Sequence, residues 1–221
     1  MAECRIVLVC RWDDMTNPIR AITKDAELVG IRRAQIVQAA VGLFVKKGYA
    51  QTTVSEIARQ CGVSKGSLYN YVGSKEDIIY LILDHTQQVH GRHFAEVESS
   101  LSTLTSADAL RRAMTVYIQG VDEMQDAYNF LNHVEAELDQ QGRKRMHQAS
   151  TRVGDFFEML LVRGVESGEF EVDNPRLAGH LIARMCSAWA HNRWFLRGLL
   201  SLDEFTTQLT ALMLKAVRAD G

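Results

Sequence analysis

Helix breakers are scarce in this 221-residue chain, which contains only two prolines, Pro18 and Pro175. Proline ends or kinks a helix, so the long interval between them is open to continuous helix, and its only frequent punctuation is single glycines. With 47% hydrophobic residues, the chain has enough apolar surface to bury one or two cores. The sequence therefore predicts an all-α protein with a small domain and a larger one.

Cysteine is also sparse, and the spacing of the four cysteines does not predict a metal site or a disulfide bond. Cys4, Cys10, Cys61 and Cys186 form no C-x-x-C pair, which argues against a zinc ribbon or a disulfide framework and favours a reduced, cytoplasmic setting. The apolar run over residues 6–10 is too short for a signal peptide, and no later run approaches the length of a membrane span. We expect a cytoplasmic protein with no membrane partner.

Catalytic signatures are missing as well. The chain has no G-x-G-x-x-G, Walker or G-x-S-x-G motif, and no histidine follows an acidic residue by three positions, as a di-iron bundle requires. His85, His90 and His93 share a predicted helix, but only His90 and His93 lie on one face, without a nearby carboxylate. That pattern favours a solvated face over a metal site. The sequence predicts no enzyme, no cofactor and no metal.

Charge is nearly balanced overall, at −2, yet it is unevenly distributed. Residues 31–80 hold seven basic and three acidic residues, whereas residues 81–221 hold fourteen basic and nineteen acidic ones. A compact basic module on an acidic body is the distribution expected when one end binds phosphates, although chance fluctuation would also produce it.

The basic segment contains three short predicted helices. Apolar residues at helical spacing, followed by two lysines and Gly48, predict a first helix over 31–47. Thr53 to Glu56 form a capping box that opens a second helix. Gly62 supplies the positive φ of a tight turn, and Ser64 caps a third helix. A short helix, a turn of about four residues with glycine and another short helix form the helix-turn-helix pattern, whose second helix enters the DNA major groove.

The run from Ile36 through Leu81 resembles the DNA-binding domain of the TetR (tetracycline repressor) family of bacterial transcriptional regulators. One departure is Val72, where the family usually has Phe, which predicts looser or compensated packing between the third and fourth helices. The resemblance covers about a fifth of the chain. The residues that match the family pattern are Ala39, Ala40, Leu43, Phe44, Gly48, Tyr49, Thr52, Ile57, Ala58, Gly62, Val63, Ser64, Gly66, Leu68, Tyr69, Tyr71, Ser74, Lys75 and Glu76.

The resemblance implies a set of DNA contacts. Phosphate contacts are expected from the start of the second helix and from two later residues, close backbone approach from the start of the third helix, and base-edge or sugar contacts from its end. The residues expected to contact phosphate are Thr52, Thr53, Tyr71 and Lys75. Those expected to approach DNA closely through the backbone are Ser64, Lys65, Gly66 and Ser67, and those expected to contact base edges or sugars are Tyr69 and Asn70. Tyr71 is equally consistent with a core position and Lys75 with a solvated charge. Arg32 and Arg33 either reach a phosphate or remain free.

The acidic remainder predicts a helical ligand-binding and dimerisation domain. A fourth helix from Ser74 past His93 connects the domains, and capping and periodicity predict further helices. Their approximate ranges are 106–125, 127–138, 143–167, 174–197 and 201–218. The last two are apolar over more than one face, and in the family they form a four-helix dimer interface. A two-fold homodimer also suits a palindromic operator in double-stranded DNA.

Aromatic and aliphatic residues of this remainder either line a ligand pocket or simply form the core. Polar groups for such a pocket would come from His133, Arg152, His191 or Asn192. The late sequence WAHNRWFLRGLLSLDEF weakly resembles family members that respond to acyl-CoA thioesters. The residues selected for the pocket are Met114, Tyr117, Val121, Tyr128, His133, Arg152, Phe156, Trp189 and Trp194.

The domain organisation predicted is a flexible extension over 1–29, a DNA-binding domain over 30–78 and a ligand-binding and dimerisation domain over 79–221. Arg20 and Lys24 suit either a minor-groove arm or a disordered tail. The function predicted is a homodimeric repressor that releases its operator when a small apolar effector binds. The alternatives are a helical interaction protein and a regulator without a small-molecule ligand.

Overall fold

The computed structural model describes residue 19 and residues 25–219. Within them the chain forms ten α-helices and a 3₁₀ turn, with no strand beyond an isolated bridge between Phe170 and Arg218, so the all-α prediction is confirmed. The helices are α1 Ala26–Lys47, α2 Val54–Gln60, α3 Lys65–Leu68, α4 Glu76–Ser99, α5 Ser106–Glu123, α6 Gln125–Val134, α7 Gln140–Glu166, α8 Pro175–His191, α9 Arg193–Leu196 and α10 Leu202–Val217; the 3₁₀ turn is Glu135–Glu137.

Two helix ends differ most from the sequence-based bounds. Helix α1 begins at Ala26 because the Asp25 side chain accepts from the Leu28 N–H at 3.1 Å, so residues 26–29 are helical where a flexible extension was predicted. The predicted helix over 174–197 ends at His191 and resumes as the four-residue α9. The predictions for Arg20 and Lys24 lie outside the described residues.

Two apolar cores divide the described helices. The N-terminal core joins α1 to α3 with the first half of α4, and α6 also packs into it. The C-terminal core joins the second half of α4 with α5, α7, α8 and α10. Val72 is fully buried in the first core beside Leu68 and Ile78, so valine fills the position where the family usually has Phe. Helix α4 is therefore one continuous helix shared by both cores.

Helix α1 is also the one described helix that is long and apolar enough to cross a membrane, over Glu27–Lys47, a length that the sequence reading did not anticipate. Its inner face packs into the N-terminal core through Ile36, Val37, Ala40 and Phe44. Core packing accounts for the apolar character of that face.

Helices α7 and α8 cross unusually closely. A Cβ atom added at Gly179 would lie 2.6 Å from the Glu158 backbone nitrogen and 2.8 Å from the Gly154 carbonyl oxygen. At Gly154, an added Cβ would lie within 2.1 Å of the His180 ring. Glycine at these two positions lets the backbones approach, and the pair of helices forms one wall of the C-terminal core.

Candidate DNA interface and effector cavity

The helix-turn-helix is held by contacts between near neighbours in sequence. The Glu56 N–H donates to Thr53 Oγ1 at 3.3 Å, and the Thr53 N–H donates to Glu56 Oε2 at 2.9 Å, which completes the predicted capping box. Lys47 also pairs with Glu56, and its hydrogen bond, followed by that of the Thr53 N–H, lowers the pKa of Glu56 to about 2. The end of α1 is thereby tied to the start of α2.

The turn between α2 and α3 has the predicted glycine geometry. Gly62 adopts a φ of +69°, and the Val63 N–H donates to the Ala58 carbonyl at 3.0 Å. Ser64 then caps α3 by accepting from the Ser67 N–H at 3.0 Å. Helix α3 is shorter than the predicted recognition helix: it ends at Leu68, and hydrogen-bonded turns carry the chain on to Tyr71.

The start of α3 presents a polar surface to solvent. Ser64, Lys65 and Gly66 are exposed, Tyr69 is 36% exposed, and Leu68 beneath them is fully buried. The Lys65 ammonium lies 6.0 Å from the Tyr69 ring centroid. Buried Leu68 fixes the orientation of α3, so that its N-terminal N–H groups and a cation face outward together. Ser67 and Asn70 are half-buried at the edges of this surface.

Thr52 does not lie on this surface. It is 1% exposed, its hydroxyl donates to the Gly48 carbonyl at 2.8 Å, and its N–H donates to the Tyr49 carbonyl at 3.1 Å. Both of its donors close the turn after α1, so the structure does not support Thr52 as a phosphate ligand. Thr53, the next residue, is exposed.

Lys75 and Tyr71 are also engaged within the protein. The Lys75 Nζ donates to the Tyr49 carbonyl at 2.5 Å and lies 4.0 Å from the Tyr49 ring centroid, and burial lowers the pKa of Lys75. Tyr71 is half-buried against the N-terminal core, and its carbonyl accepts from Arg33 Nε at 3.3 Å. Arg32 donates to Gln35 at 2.9 Å. The Lys75 and Arg33 contacts join segments that are far apart in sequence and support the module behind the exposed end of α3, whereas the Arg32 contact lies within α1.

A cavity of about 160 Å³ lies among α4 to α8 in the larger domain. Its wall carries polar as well as apolar side chains, so it is less apolar than the predicted pocket. Its lining residues are Leu83, Thr86, Gln87, Tyr117, Tyr128, Leu131, Asn132, Glu135, Met146, His147, Ala149, Ser150, Val153, Ala183, Arg184, Ser187 and His191.

Of the nine residues predicted for the pocket, Tyr117 and Tyr128 line this cavity. Met114, Val121 and Phe156 are fully buried in the C-terminal core, the alternative that the sequence left open. Residues of the core and residues of the cavity wall have the same helical spacing in the sequence. Only the packing of the neighbouring helices distinguishes the two groups.

The other four predicted residues lie elsewhere. Trp189 is buried and donates to Asp122 at 2.7 Å, whereas Trp194 is 84% exposed at the start of α9. His133 is exposed and bonds the Asn129 carbonyl at 2.6 Å. Arg152 is half-buried and does not line the cavity. Trp194 in particular is corrected from a pocket residue to a surface residue, because the chain breaks between α8 and α9.

His90, expected on a solvated face, is fully buried. Its Nε2 hydrogen-bonds the Tyr128 hydroxyl, which donates in turn to the Tyr117 hydroxyl at 3.4 Å. Burial, and then His93, lowers the pKa of His90 to about 3, so the ring is neutral. Within the described residues no three His, Cys, Asp or Glu side chains are grouped to hold a metal.

Sequence reasoning also missed Gln87 and Arg184 as cavity residues. Gln87 lies one residue after Thr86 and three before His90 on α4. Polar residues that recur at helical spacing among apolar neighbours are the sequence signal for a polar strip on a buried helix face.

Helix α6 separates the cavity from the DNA-binding region. Tyr128 and Leu131 line the cavity, while Phe130 packs into the N-terminal core. The Phe130 ring stacks on Phe44 of α1 with a centroid distance of 4.6 Å, and it lies 6.3 Å from the Tyr49 ring. One helix therefore touches both the cavity and the helix that supports the helix-turn-helix.

An apolar stripe covers the outer face of α8. Leu177, Leu181 and Met185 recur every four residues and are 56%, 55% and 43% exposed, and Leu212 of α10 is 55% exposed. Large apolar side chains exposed together at helical spacing are typical of a helix that packs against another chain.

Comparison with known proteins gives two family matches along the chain. The family model described as "Bacterial regulatory proteins, tetR family" matches residues 36–80, and the one described as "Tetracyclin repressor-like, C-terminal domain" matches residues 103–217. Among curated proteins, the HTH-type transcriptional regulator HbdR of Aromatoleum sp. (strain CIB) is 28% identical over 198 residues, covering 89% of this chain and 85% of HbdR.

Solved structures share the fold. AibR in complex with isovaleryl coenzyme A and operator DNA superposes with a TM-score of 0.68 at 20% identity, covering 82% of this chain and 97% of that one. FadR of Bacillus subtilis in complex with stearoyl-CoA gives 0.68 at 22% identity, covering 84% and 99%. With both domains matched in chain order, this protein belongs to the TetR family of bacterial transcriptional regulators and is a DNA-binding regulator, not an enzyme.

Proposed function

We propose that this regulator is a homodimeric cytoplasmic repressor that binds a palindromic DNA operator and releases it when a small effector enters the larger domain. The observation that carries the DNA-binding part is the exposed start of α3, where Ser64, Lys65, Gly66 and Tyr69 stand over buried Leu68. Backbone N–H groups and a lysine at that position suit phosphate, and Tyr69 and Asn70 suit base edges or sugars. Thr53 is exposed at the start of α2, but its N–H and hydroxyl both donate to Glu56, so no phosphate contact is assigned to it.

The apolar stripe on α8 and α10 supports the homodimer. A two-fold pair of such stripes buries Leu177, Leu181 and Met185 from both copies, and it sets the two α3 helices for successive major grooves. A Leu181→Glu substitution buries two carboxylates at the interface, so we expect a monomer in sedimentation velocity. Leu28→Glu, at an exposed leucine of α1, is the matched control and remains dimeric. A dimeric Leu181→Glu variant would place the interface elsewhere.

The effector proposed is an acyl-CoA thioester. It is supported by the cavity among α4 to α8 and by the acyl-CoA complexes of AibR and FadR. Helix α6 offers the route for the signal, because an effector that displaces Tyr128 or Leu131 also moves Phe130 against Phe44. The coupling equals the difference in effector affinity between the free and DNA-bound states. An acyl-CoA that raises the melting temperature without weakening DNA binding would contradict this part of the proposal.

The DNA interface is tested by fluorescence anisotropy with a fragment from the region upstream of the gene. We expect affinity to fall steeply with rising salt, since each neutralised phosphate releases counterions. The double variant Lys65→Ala/Tyr69→Ala should bind at least about 30-fold more weakly, from two contacts of about 1 to 3 kcal/mol each. Lys144→Ala, an exposed lysine of α7, is the matched control and binds like the wild type.

Unchanged DNA affinity in the double variant would contradict the assignment of α3 as the reading surface. The alternative function, a helical interaction protein, predicts no binding to the fragment even at low salt. A regulator without a small-molecule ligand predicts DNA binding that no acyl-CoA alters.

A further inference from the structure

The size of the cavity limits what enters it. Its volume of about 160 Å³ is close to the roughly 150 Å³ of an apolar cavity that accepts a single benzene molecule. A stearoyl chain has about three times as many carbon atoms as benzene, so it does not fit without repacking of the surrounding helices. The cavity therefore suits a compact acyl or ring group.

His90, Tyr128 and Tyr117 form a hydrogen-bonded chain that reaches the cavity wall, and the last hydroxyl of this chain is a donor. Neutral His90 is fully buried, its Nε2 is hydrogen-bonded to the Tyr128 hydroxyl, and the Tyr128 hydroxyl donates to the Tyr117 oxygen at 3.4 Å. The hydrogen of the Tyr117 hydroxyl has no acceptor within the part of the chain that the structure describes. Since Tyr117 lines the cavity, this O–H is available to an oxygen atom of a bound molecule.

Two further polar atoms of the wall are enclosed without a partner among the described residues. Gln87 Oε1 and His191 Nε2 are both inaccessible to solvent and make no hydrogen bond there. The His191 ring lies 6.3 Å from that of Tyr128, and both residues line the cavity with Gln87. An enclosed polar atom without a partner costs about 1 to 3 kcal/mol, so a ligand that supplies the missing partner gains affinity.

We infer that the group admitted to this cavity is a compact acyl or aromatic group that carries an oxygen substituent, which accepts from Tyr117 and bonds Gln87 or His191. This inference rests on the proposed effector role of the cavity and names the ligand class. A hydroxyl or carbonyl oxygen satisfies the donor, and a hydroxyl also donates to Gln87 Oε1. Purely hydrocarbon groups of the same size leave these atoms unpaired, and sites built for hydrogen bonding reject such analogues strongly.

Phenol and toluene form a matched pair of probes, because they share a ring and differ by a hydroxyl in place of a methyl. We expect the wild-type protein to bind phenol about tenfold more tightly than toluene in ligand-detected NMR titrations. Tyr117→Phe removes the free donor and keeps the ring, and it should reduce the preference to within about twofold. Tyr80→Phe, at a tyrosine outside the cavity wall, should retain the wild-type preference.

Gln87→Met is a second variant of nearly equal volume, which keeps the test decisive if Tyr117→Phe does not fold. It should also reduce the preference for phenol. Equal binding of the two probes by the wild type, binding of neither, or an unchanged preference in both cavity variants would overturn the inference. The DNA titration on the same preparations separates the two proposals: a preference for phenol without DNA binding would leave the cavity inference standing and remove the proposed function.

Discussion

The DNA-binding region and the effector region are both helical, but different interactions define them. Helices α2 and α3 have seven and four residues, and caps between residues three apart begin both. Helices α7 and α8 have 27 and 17 residues, and they depend on a backbone crossing at Gly154 and Gly179. Local contacts thus shape the surface proposed to read DNA, whereas contacts between distant segments shape the cavity.

The functional groups of the two regions differ in the same way. The polar residues at the start of α3 face solvent, where they can meet a charged partner. The Tyr117 and Tyr128 hydroxyls of the cavity wall, and His90 bonded to Tyr128 behind them, lie among apolar neighbours, where each hydrogen bond is strengthened and each missing one is costly. Helix α6 belongs to both regions, and substitutions there test how separate they are.

Phe130→Ala tests the junction and should have the largest effect on stability. Phe130 is buried and stacks on Phe44, so its truncation should reduce the free energy of unfolding by about 3 to 5 kcal/mol in urea denaturation. A double-mutant cycle with Phe44→Ala should show a coupling of about 1 kcal/mol. Additive effects of the two substitutions would mean that the two regions are independent at this contact.

Gly179→Ala tests the long-range packing of the effector region. The added methyl group would meet the backbone of Glu158 and Gly154, which cannot move aside as a side chain does, so we expect a loss of about 1 to 3 kcal/mol. Gly42→Ala is the matched control in α1, where an added Cβ has nothing within 4 Å. This control should gain about 0.5 to 1 kcal/mol from helix propensity. Equal effects of the two would contradict the close crossing.

Thr53→Ala and Ser201→Ala compare the same local motif in the two regions. Both residues complete a capping box, with Glu56 and Glu204 respectively. Each substitution should reduce the free energy of unfolding by about 1 kcal/mol, because each leaves helix N–H groups without an acceptor. A much larger loss at either site would show that its cap also holds tertiary contacts.

His90→Gln tests the enclosed polar chain through pH. The folded-state pKa of His90, about 3, lies below its ordinary value near 6.5, so the unfolded chain binds a proton that the folded chain does not. The contribution of His90 to the free energy of unfolding is fully present well above pH 6.5 and is lost as the pH falls. Between pH 6.5 and 5.5 the free energy of unfolding should decrease by about 1 kcal/mol for this reason. The variant should lack this part of the slope in urea denaturation, whereas exposed His147→Gln should keep it. An identical slope in His90→Gln would contradict the burial of a neutral ring.

The accuracy of the sequence-based predictions follows the distance over which residues interact. The Thr53 capping box, the positive φ of Gly62 and the Ser64 cap were all predicted correctly, because each depends on residues within about four positions. Thr52 was assigned to phosphate although its hydroxyl closes a turn onto Gly48. A threonine beside a capping box has the same local pattern whether its side chain points outward or inward.

The cavity was harder to predict, because apolar periodicity marks a buried face without saying what it meets. Of the residues selected as ligand-binding, Tyr117 and Tyr128 line the cavity, whereas Met114 and Phe156 lie in the core and Trp194 lies on the surface. Gln87, which lines the cavity, and His90, which bonds Tyr128, were not selected, since polar residues on a long helix resemble a solvated face until the neighbouring helices are in place.

The sequence by itself determined the helical class, the helix-turn-helix with its caps and glycine turn, and the family to which the chain belongs. Those features depend on hydrogen bonds and backbone conformations within a few residues, which the order of amino acids specifies directly. Only the tertiary structure decided that α6 joins the cavity to the DNA-binding region and that His90, Tyr128 and Tyr117 form one hydrogen-bonded chain. These groups are up to 38 residues apart, and only the packing of whole helices brings them together.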